Sequence, residues 1–319
     1  MQKVGLVLVA VVGLNWQLVA WSADVMPQEI HFFARKNSLS NEFIGRKGVL
    51  VKRSGSPATV LLLHGYGLDR YALAPLRIFL KDLSCLSIDF RAHGDHTADQ
   101  ESTLGYEEVN DIFGAVEYIR SDPYLSNRPL IVIGFWMGAV SAIEAQSLDS
   151  TLFTAMFLDT PFSSSVEILR RGLQAMRFQL FGYQFNLPGH TLIETYAFNP
   201  YVQPLLQMLL RLKTSFDARK INTFVKPIAP TESIRKIEIP AFFVVTKNDT
   251  KVSVDEVKSV YDHKPGFKRL WIANGRDHCD AILFHPEKYE RILNDFIYDV
   301  LTHAEKREPL EEIIYDQPQ

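Results

Sequence analysis

Three short segments carry residue types that could cooperate in acyl-transfer chemistry. Asp249 follows one apolar run, His278 follows a later one, and the segment G-F-W-M-G (134–138) follows an earlier one. An aspartate that orients a histidine lets the imidazole act as a general base toward a neighbouring nucleophile. The order along the chain, glycine-flanked turn first, then aspartate, then histidine, is typical of hydrolases that place a nucleophile in such a turn.

The segment 134–138 has the setting of a nucleophile elbow. A hydrophobic strand pattern leads into it, two glycines flank it, and a helical pattern follows it. The usual pattern is Gly-x-Ser-x-Gly, in which the glycines allow a sharp turn that exposes the central side chain. The central residue here is Trp136, whose indole N–H is only a donor and cannot attack a carbonyl carbon. The sequence thus predicts a triad that has lost its nucleophile.

A second loop could stabilise negative charge. The segment H-G-Y-G (64–67) follows a strand, as an oxyanion-hole loop does. We expect the backbone N–H groups of Tyr66 and Met137 to point toward a developing oxyanion. His64 and His93 are interpreted as residues that hold loops by hydrogen bonds and transfer no proton.

The elements that would position these residues alternate between strand and helix. Continuous apolar runs predict buried strands, and apolar residues spaced three and four apart predict helices. The predicted strands are 58–64, 85–90, 130–135, 153–158, 241–246 and 268–272, and the predicted helices include 76–83, 109–119, 137–148 and 286–301. This alternation predicts an α/β fold with a mostly parallel, doubly wound sheet.

Residues 160–238 interrupt the alternation. Apolar residues at helical spacing run from Val166 to Leu180, a second helical patch spans 202–212, and no strand is evident. Because about 80 residues far exceed an ordinary crossover, we interpret 160–238 as a helical cap inserted into the core. Two long helical crossovers are the alternative. The core would then comprise 23–159 and 239–303, with a C-terminal tail at 304–319.

The N-terminus is typical of a secretory signal peptide. A basic start precedes an apolar run from Val4 to Leu14, and Ala20 and Ser22 provide the small residues of a cleavage site. Residues 1–22 are therefore predicted to be removed, leaving no stable membrane span and an exported protein, with a bacterial periplasmic or secreted location favoured. A retained membrane anchor is the alternative, although Asn15 and Gln17 interrupt the apolar run early.

The composition and the motifs limit which classes of partner and cofactor are expected. The chain has 34 basic and 37 acidic residues among 319, a balance that does not favour nucleic acid. Its two cysteines exclude a disulfide-rich scaffold. No phosphate-binding glycine loop or dinucleotide fingerprint occurs, so no cofactor is expected. His93, Asp95 and His96 could approach an ion, but without a second ligand cluster no metal site is predicted.

The sequence resembles the α/β-hydrolase superfamily from about Ala58 to Leu301. The segments S-T-L-G-Y-E-E (102–108), L-D-T-P-F-S-S (158–164) and H-P-E-K-Y (285–289) extend the similarity, which is greatest to bacterial exported serine aminopeptidase-like and acyl-esterase-like hydrolases. The resemblance implies an α/β-hydrolase fold with a serine nucleophile, a histidine base and an orienting aspartate. Asp249 and His278 match the last two roles, whereas Trp136 departs from the first.

Three functional hypotheses follow. The chain could be a pseudoenzyme that binds a small apolar acyl or peptide-like ligand, or a partner. It could be an active ester or peptide hydrolase that uses water activated by His278 or a hydroxyl from the serines at 163–165. Trp136 could also replace a native serine, since one base change converts the codon TCG to TGG.

The thiol of Cys279 is expected to point away from His278. Cys85 is expected to lie too far from Cys279 for the two to form a disulfide. The sequence does not indicate an oligomeric state.

Overall fold

The computed structural model describes residues 26–96, 100–174, 177–180, 183–186, 221, 223–302 and 311–316. The predicted signal peptide at 1–22 and the predicted helical patch at 202–212 lie outside these residues. Within the described ranges, no helix has the length and apolar character needed to cross a membrane.

Nine strands of the described residues form one sheet in the order β1-β2-β4-β3-β5-β6-β9-β10-β11. Strand β2 is antiparallel to β1 and β4, and the other neighbouring pairs are parallel. The strands are Gln28–Arg35 (β1), Phe43–Val51 (β2), Thr59–Leu63 (β3), Ser84–Ile88 (β4), Leu130–Phe135 (β5), Ala155–Asp159 (β6), Ala241–Thr246 (β9), Lys268–Ala273 (β10) and Glu311–Tyr315 (β11). A separate hairpin consists of Arg177–Leu180 (β7) and Tyr183–Asn186 (β8).

Helices cover both faces of the sheet. They are Leu76–Phe79 (α1), Glu108–Ser121 (α2), Met137–Leu148 (α3), Ser165–Gln174 (α4), Pro230–Ser233 (α5), Val254–His263 (α6), Ala281–Phe284 (α7) and Pro286–Thr302 (α8). Successive strand residues point to opposite faces. Leu61 and Leu63 of β3 thus pack in the hydrophobic layer that contains α2 and α3, while Val60 and Leu62 pack in the layer of α1 and α8. The predicted doubly wound sheet is confirmed.

Five of the described strands, β1, β2, β7, β8 and β11, were not predicted. Strands β1 and β2 pair at one edge, and β1 alternates exposed and buried residues, so it lacks the continuous apolar run that identifies a buried strand. Strand β7 lies in a segment where the spacing of apolar residues predicted a helix as far as Leu180. The expectation that 160–238 contains no strand is therefore wrong. Strand β11 adds part of the predicted tail to the sheet beside β10. The helical cap itself stays a prediction, because much of 160–238 lies outside the described residues.

A buried ion cluster ties the N-terminal strands to the rest of the fold. The carboxylate of Asp111 on α2 is fully buried and accepts hydrogen bonds from Arg46 Nε at 2.9 Å and from Arg91 Nε at 3.0 Å. Arg91 also donates to the carbonyl oxygens of Arg35 and Lys36 at the end of β1. Burial alone would raise the pKa of Asp111, but the two guanidinium groups outweigh that effect and lower it.

We predict that Asp111→Ala destabilises the protein by about 3–5 kcal/mol, because it leaves two buried guanidinium groups without their carboxylate. The free energy of unfolding, from urea titration at neutral pH, measures the loss. The folded-state pKa of Asp111 is lowered, so its contribution is present above the ordinary pKa of about 3.9 and is lost as the pH falls through the folded value. The exposed Asp295→Ala, a change on α8, should alter stability by no more than about 0.5 kcal/mol. Equal effects of the two substitutions would refute this account.

Candidate active site

The residues singled out for chemistry meet at one edge of the sheet. Trp136 follows β5, Asp249 follows β9 and His278 follows β10. These strands are parallel and lie close together, separated only by β6 between β5 and β9. Their carboxyl ends therefore face the same side, which is where α/β sheets bind ligands.

Asp249 and His278 are joined by a direct hydrogen bond. His278 Nδ1 lies 2.7 Å from Asp249 Oδ2, and the aspartate side chain is fully buried. The other oxygen, Oδ1, accepts the backbone N–H groups of Lys251 and Val252 at 2.7 and 2.8 Å. The carboxylate is thus fixed by its own loop and holds the imidazole in one orientation. The predicted contact between these two residues is confirmed.

Trp136 occupies the centre of the sharp turn between β5 and α3. Its φ of 47° lies in the left-handed region, which is costly for a residue with a Cβ. Its backbone N–H donates to Asp159 O at 2.8 Å, and this bond helps to fix the turn. The indole makes edge-to-face contacts with Tyr66, Phe162 and His278 at centroid distances of 5.9, 6.1 and 5.4 Å. The expected proximity of Trp136 to His278 is confirmed.

The two glycines of the turn are required by close backbone packing. A Cβ on Gly138 would meet the carbonyl oxygen of Leu63 and would lie 2.7 Å from that of His64. A Cβ on Gly134 would lie 2.7 Å from the backbone nitrogen of Ala139. Real Cβ atoms do not come this close, so only glycine lets α3 start against β3 and β5. This packing gives the turn the geometry of a nucleophile elbow.

Comparison with known proteins agrees with this geometry. Residues 60–292 match the Alpha/beta hydrolase family. The chain belongs to the alpha/beta hydrolase family. It is 27% identical over 258 residues to the Bacillus subtilis (strain 168) uncharacterized protein YqkD, a match that spans 79% of this chain and 74% of YqkD.

Solved structures share the fold of this alpha/beta hydrolase. Esterase Pf2001 of Pyrococcus furiosus superimposes with a TM-score of 0.63 at 22% identity, over 88% of this chain and 96% of the esterase. A thermophilic esterase from Thermogutta terrifontis gives a TM-score of 0.58 at 16% identity, over 86% of this chain and 100% of the esterase. At these identities the similarity establishes the fold alone.

The predicted oxyanion loop lies beside the elbow. The Tyr66 ring contacts Trp136, and Met137 is the first residue of α3, so its N–H has no acceptor within the helix. The role of the two backbone N–H groups stays a prediction. The structural roles expected for the two loop histidines are confirmed: His64 bonds the backbone of Gly65 and Phe90, and His93 bonds Arg91 O. Burial lowers the pKa of His64 to about 3, so this ring is neutral.

The expectation for Cys279 is wrong in one respect. Its Sγ does not point away from His278 but lies 3.6 Å from His278 Nε2. Cys279 has a φ of 53°, in the left-handed region. Cys85 and Cys279 are both free thiols, as expected.

A buried carboxyl group below the site was not identified from the sequence. Asp159 ends β6 and bonds the hydroxyls of Thr160 and Tyr289, each at 2.9 Å. Burial, reinforced by the charges of Asp249 and Asp280 and opposed by these two hydrogen bonds, raises the pKa of Asp159 to about 7. The segment 158–164 contributes to the family resemblance but does not show where Asp159 lies. Its position between Trp136 and Asp249 follows from the strand order, in which β6 lies between β5 and β9.

Asp280 lies two residues after His278, in the same loop. It is buried, and its Oδ2 accepts the backbone N–H groups of Arg276 and Asp277, each at 2.8 Å. It therefore shapes the loop that carries His278. Asp277 is exposed and bonds Thr250.

The serines at 163–165 take part in hydrogen bonds that stabilise the local structure. Ser165 Oγ donates to Lys226 O at 3.0 Å, and Ser164 Oγ accepts the N–H of Glu167 in the first turn of α4. Ser163 accepts at its carbonyl from Thr231. The hydroxyls of Ser164 and Ser165 thus have structural hydrogen bonds. Either hydroxyl would have to break these bonds to act as a nucleophile. Among the described residues, no three histidine, cysteine or acidic side chains are grouped as metal ligands.

We predict that Gly138→Ala destabilises the fold by about 1–3 kcal/mol, because its Cβ would collide with two carbonyl oxygens of the adjacent strand end. Thermal and urea unfolding measure the change. Gly45→Ala is the matched control, because a Cβ at Gly45 has no atom within 4 Å. The control should be neutral or slightly stabilising. A Gly138→Ala variant as stable as this control would show that the elbow packs more loosely than described.

Proposed function

We propose that this alpha/beta hydrolase is an exported protein of esterase- or peptidase-like serine-hydrolase ancestry in which Trp136 closes the serine route. The position of the indole carries the proposal: it stands at the centre of the elbow, between Tyr66 on the oxyanion loop and the base His278. In a serine hydrolase this space holds the nucleophilic oxygen and the carbonyl it attacks.

The closure is both chemical and steric. Tryptophan offers no oxygen or sulfur to form an acyl-enzyme. In a comparable triad, loss of the nucleophile lowers kcat by about 10⁶-fold, and the oxyanion hole supplies most of the remaining rate. Here the indole also lies against Tyr66 and packs on the buried Phe162, so it takes up the volume that a substrate carbonyl would need.

The features around the indole suit a binding role. Tyr66 and Trp136 have partly exposed aromatic rings, and Lys251 Nζ lies 5.9 Å from the indole centroid. The indole Nε1 is buried and has no hydrogen-bond partner among the described residues. An apolar acyl or peptide-like ligand with an acceptor oxygen would satisfy both the rings and this donor.

A second candidate is an active serine hydrolase whose native elbow residue is serine. The hydrogen-bonded Asp249–His278 pair favours it, since this pair has the arrangement that activates a serine hydroxyl. Sequencing the source locus distinguishes the two, because it shows whether codon 136 encodes serine or tryptophan.

We predict that the protein has negligible turnover of p-nitrophenyl esters through a serine and that Trp136→Ser creates measurable esterase activity and labelling by a fluorophosphonate probe. The substitution restores a hydroxyl beside His278 and opens the space now filled by the indole. Adding His278→Ala to Trp136→Ser should remove the gained activity, because the hydroxyl then lacks its base.

The matched control is Trp136→Ala, which opens the same space without adding a nucleophile and should stay unlabelled. Fluorophosphonate labelling of a serine in the unmodified protein would contradict the closed route. Activity in Trp136→Ala equal to that in Trp136→Ser would show that the restored hydroxyl is not the nucleophile.

We further predict cleavage after Ser22 during export, because small residues at 20 and 22 follow the apolar run. N-terminal sequencing of protein recovered from the periplasm or medium should begin at Ala23. Ala20→Arg should block processing and retain the longer form. A full-length, membrane-bound product from the unmodified chain would favour the alternative of a membrane anchor.

A further inference from the structure

The base of the site has a second neighbour that can react. Cys279 Sγ lies 3.6 Å from His278 Nε2, within the hydrogen-bonding range of sulfur. Because the Asp249 carboxylate accepts at Nδ1, the hydrogen of the neutral ring is on Nδ1 and the lone pair of Nε2 faces the thiol. This is the relation that a nucleophile and its base have in a triad.

We infer that Cys279 is an alternative nucleophile and that Cys279, His278 and Asp249 form a triad able to accept an acyl group from an ester. The inference rests on the proposed closure of the serine route by Trp136. It moves the reacting atom from the elbow to the loop that carries the base.

The reaction balances with residues of this chain and water. The Sγ–H proton moves to His278 Nε2 as Sγ bonds the ester carbonyl carbon. The tetrahedral intermediate expels the alcohol, which takes the proton from His278, and a thioester on Cys279 remains. Water then attacks the thioester with His278 as base, releases the carboxylic acid and restores the thiol. Asp249 stabilises the imidazolium in both steps.

The surroundings make the base necessary. Burial, together with the charge of Asp159, raises the pKa of the Cys279 thiol well above its ordinary value, and a hydrogen bond from Thr160 only partly opposes the shift. The thiol is therefore neutral at rest and reacts only when a partner removes its proton. His278 is the described residue whose ring nitrogen lies beside Sγ. Reactivity that depends on His278 is the signature that separates this triad from an ordinary exposed cysteine.

The chain supplies its own control. Cys85, the other cysteine, is buried on β4, and its thiol bonds Leu83 O at 3.6 Å. Burial raises the pKa of Cys85 to about 12. Within the described part of the chain, no histidine is hydrogen-bonded to this thiol, so Cys85 reports the background reactivity of a buried thiol in the same molecule.

The test is acyl transfer from p-nitrophenyl acetate to the full-length purified protein. Samples quenched in acid, which preserves thioesters, are digested and the acetyl group is located by mass spectrometry. The variants are His278→Gln, Cys279→Ser and Cys85→Ser, each checked for folding by its melting temperature. The side-chain amide of Gln can still bond Asp249, which makes His278→Gln a mild change.

We expect acetylation of Cys279 and not of Cys85 in the unmodified protein. His278→Gln should slow acetylation of Cys279 by about 10²-fold, the usual contribution of a general base. Cys85→Ser should leave the Cys279 rate unchanged. Equal rates in the unmodified protein and folded His278→Gln would overturn the inference, as would an unmodified Cys279. Acetyl or fluorophosphonate adducts on a serine would instead refute the closed serine route, and the peptide that carries the adduct distinguishes the two failures.

Discussion

The close contact between the start of α3 and the end of β3 is the constraint on which the site depends. Gly138 allows this contact, Gly134 lets α3 start close to β5, and Trp136 in the turn between them has a positive φ. Its side chain lies beside His278, in the loop after β10, and near Lys251, in the loop after β9. Trp136 therefore stands where a nucleophile would meet its base, but it lacks a nucleophilic oxygen or sulfur.

Much of this arrangement is predictable from sequence because the central strands are buried along their length. Continuous apolar runs predicted β5 and β9 with their observed bounds, and the small and apolar residues at 137–148 predicted α3. Position after successive strands then brought Asp249 and His278 together. Strand β1 was missed because its residues alternate in exposure, and β11 because two glutamates begin it. The contact of Cys279 with His278 could not be predicted, because no sequence pattern indicates the positive φ at this residue.

Backbone strain is concentrated where the chemistry would occur. Five of the described residues other than glycine have a positive φ. Three of them lie at or near the carboxyl ends of β5, β6 and β10: Trp136, Thr160 and Cys279. Such conformations cost about 1–3 kcal/mol each and persist only where surrounding contacts fix them. The bond from the Trp136 N–H to Asp159 O and the hydrogen bonds of Asp280 are contacts of that kind.

Asp249 and Cys279 differ in what a purely structural role would require. Asp249 would be useful without any reaction, because its Oδ1 caps two backbone N–H groups of its own loop. Cys279 also has structural contacts, because its side chain packs against the hydrophobic layer of α1 and α8 and bonds Thr160. Glycine or asparagine would adopt its left-handed conformation at lower cost. What a cysteine adds at this position is a thiol 3.6 Å from His278 Nε2, which is the contact that a nucleophile makes with its base.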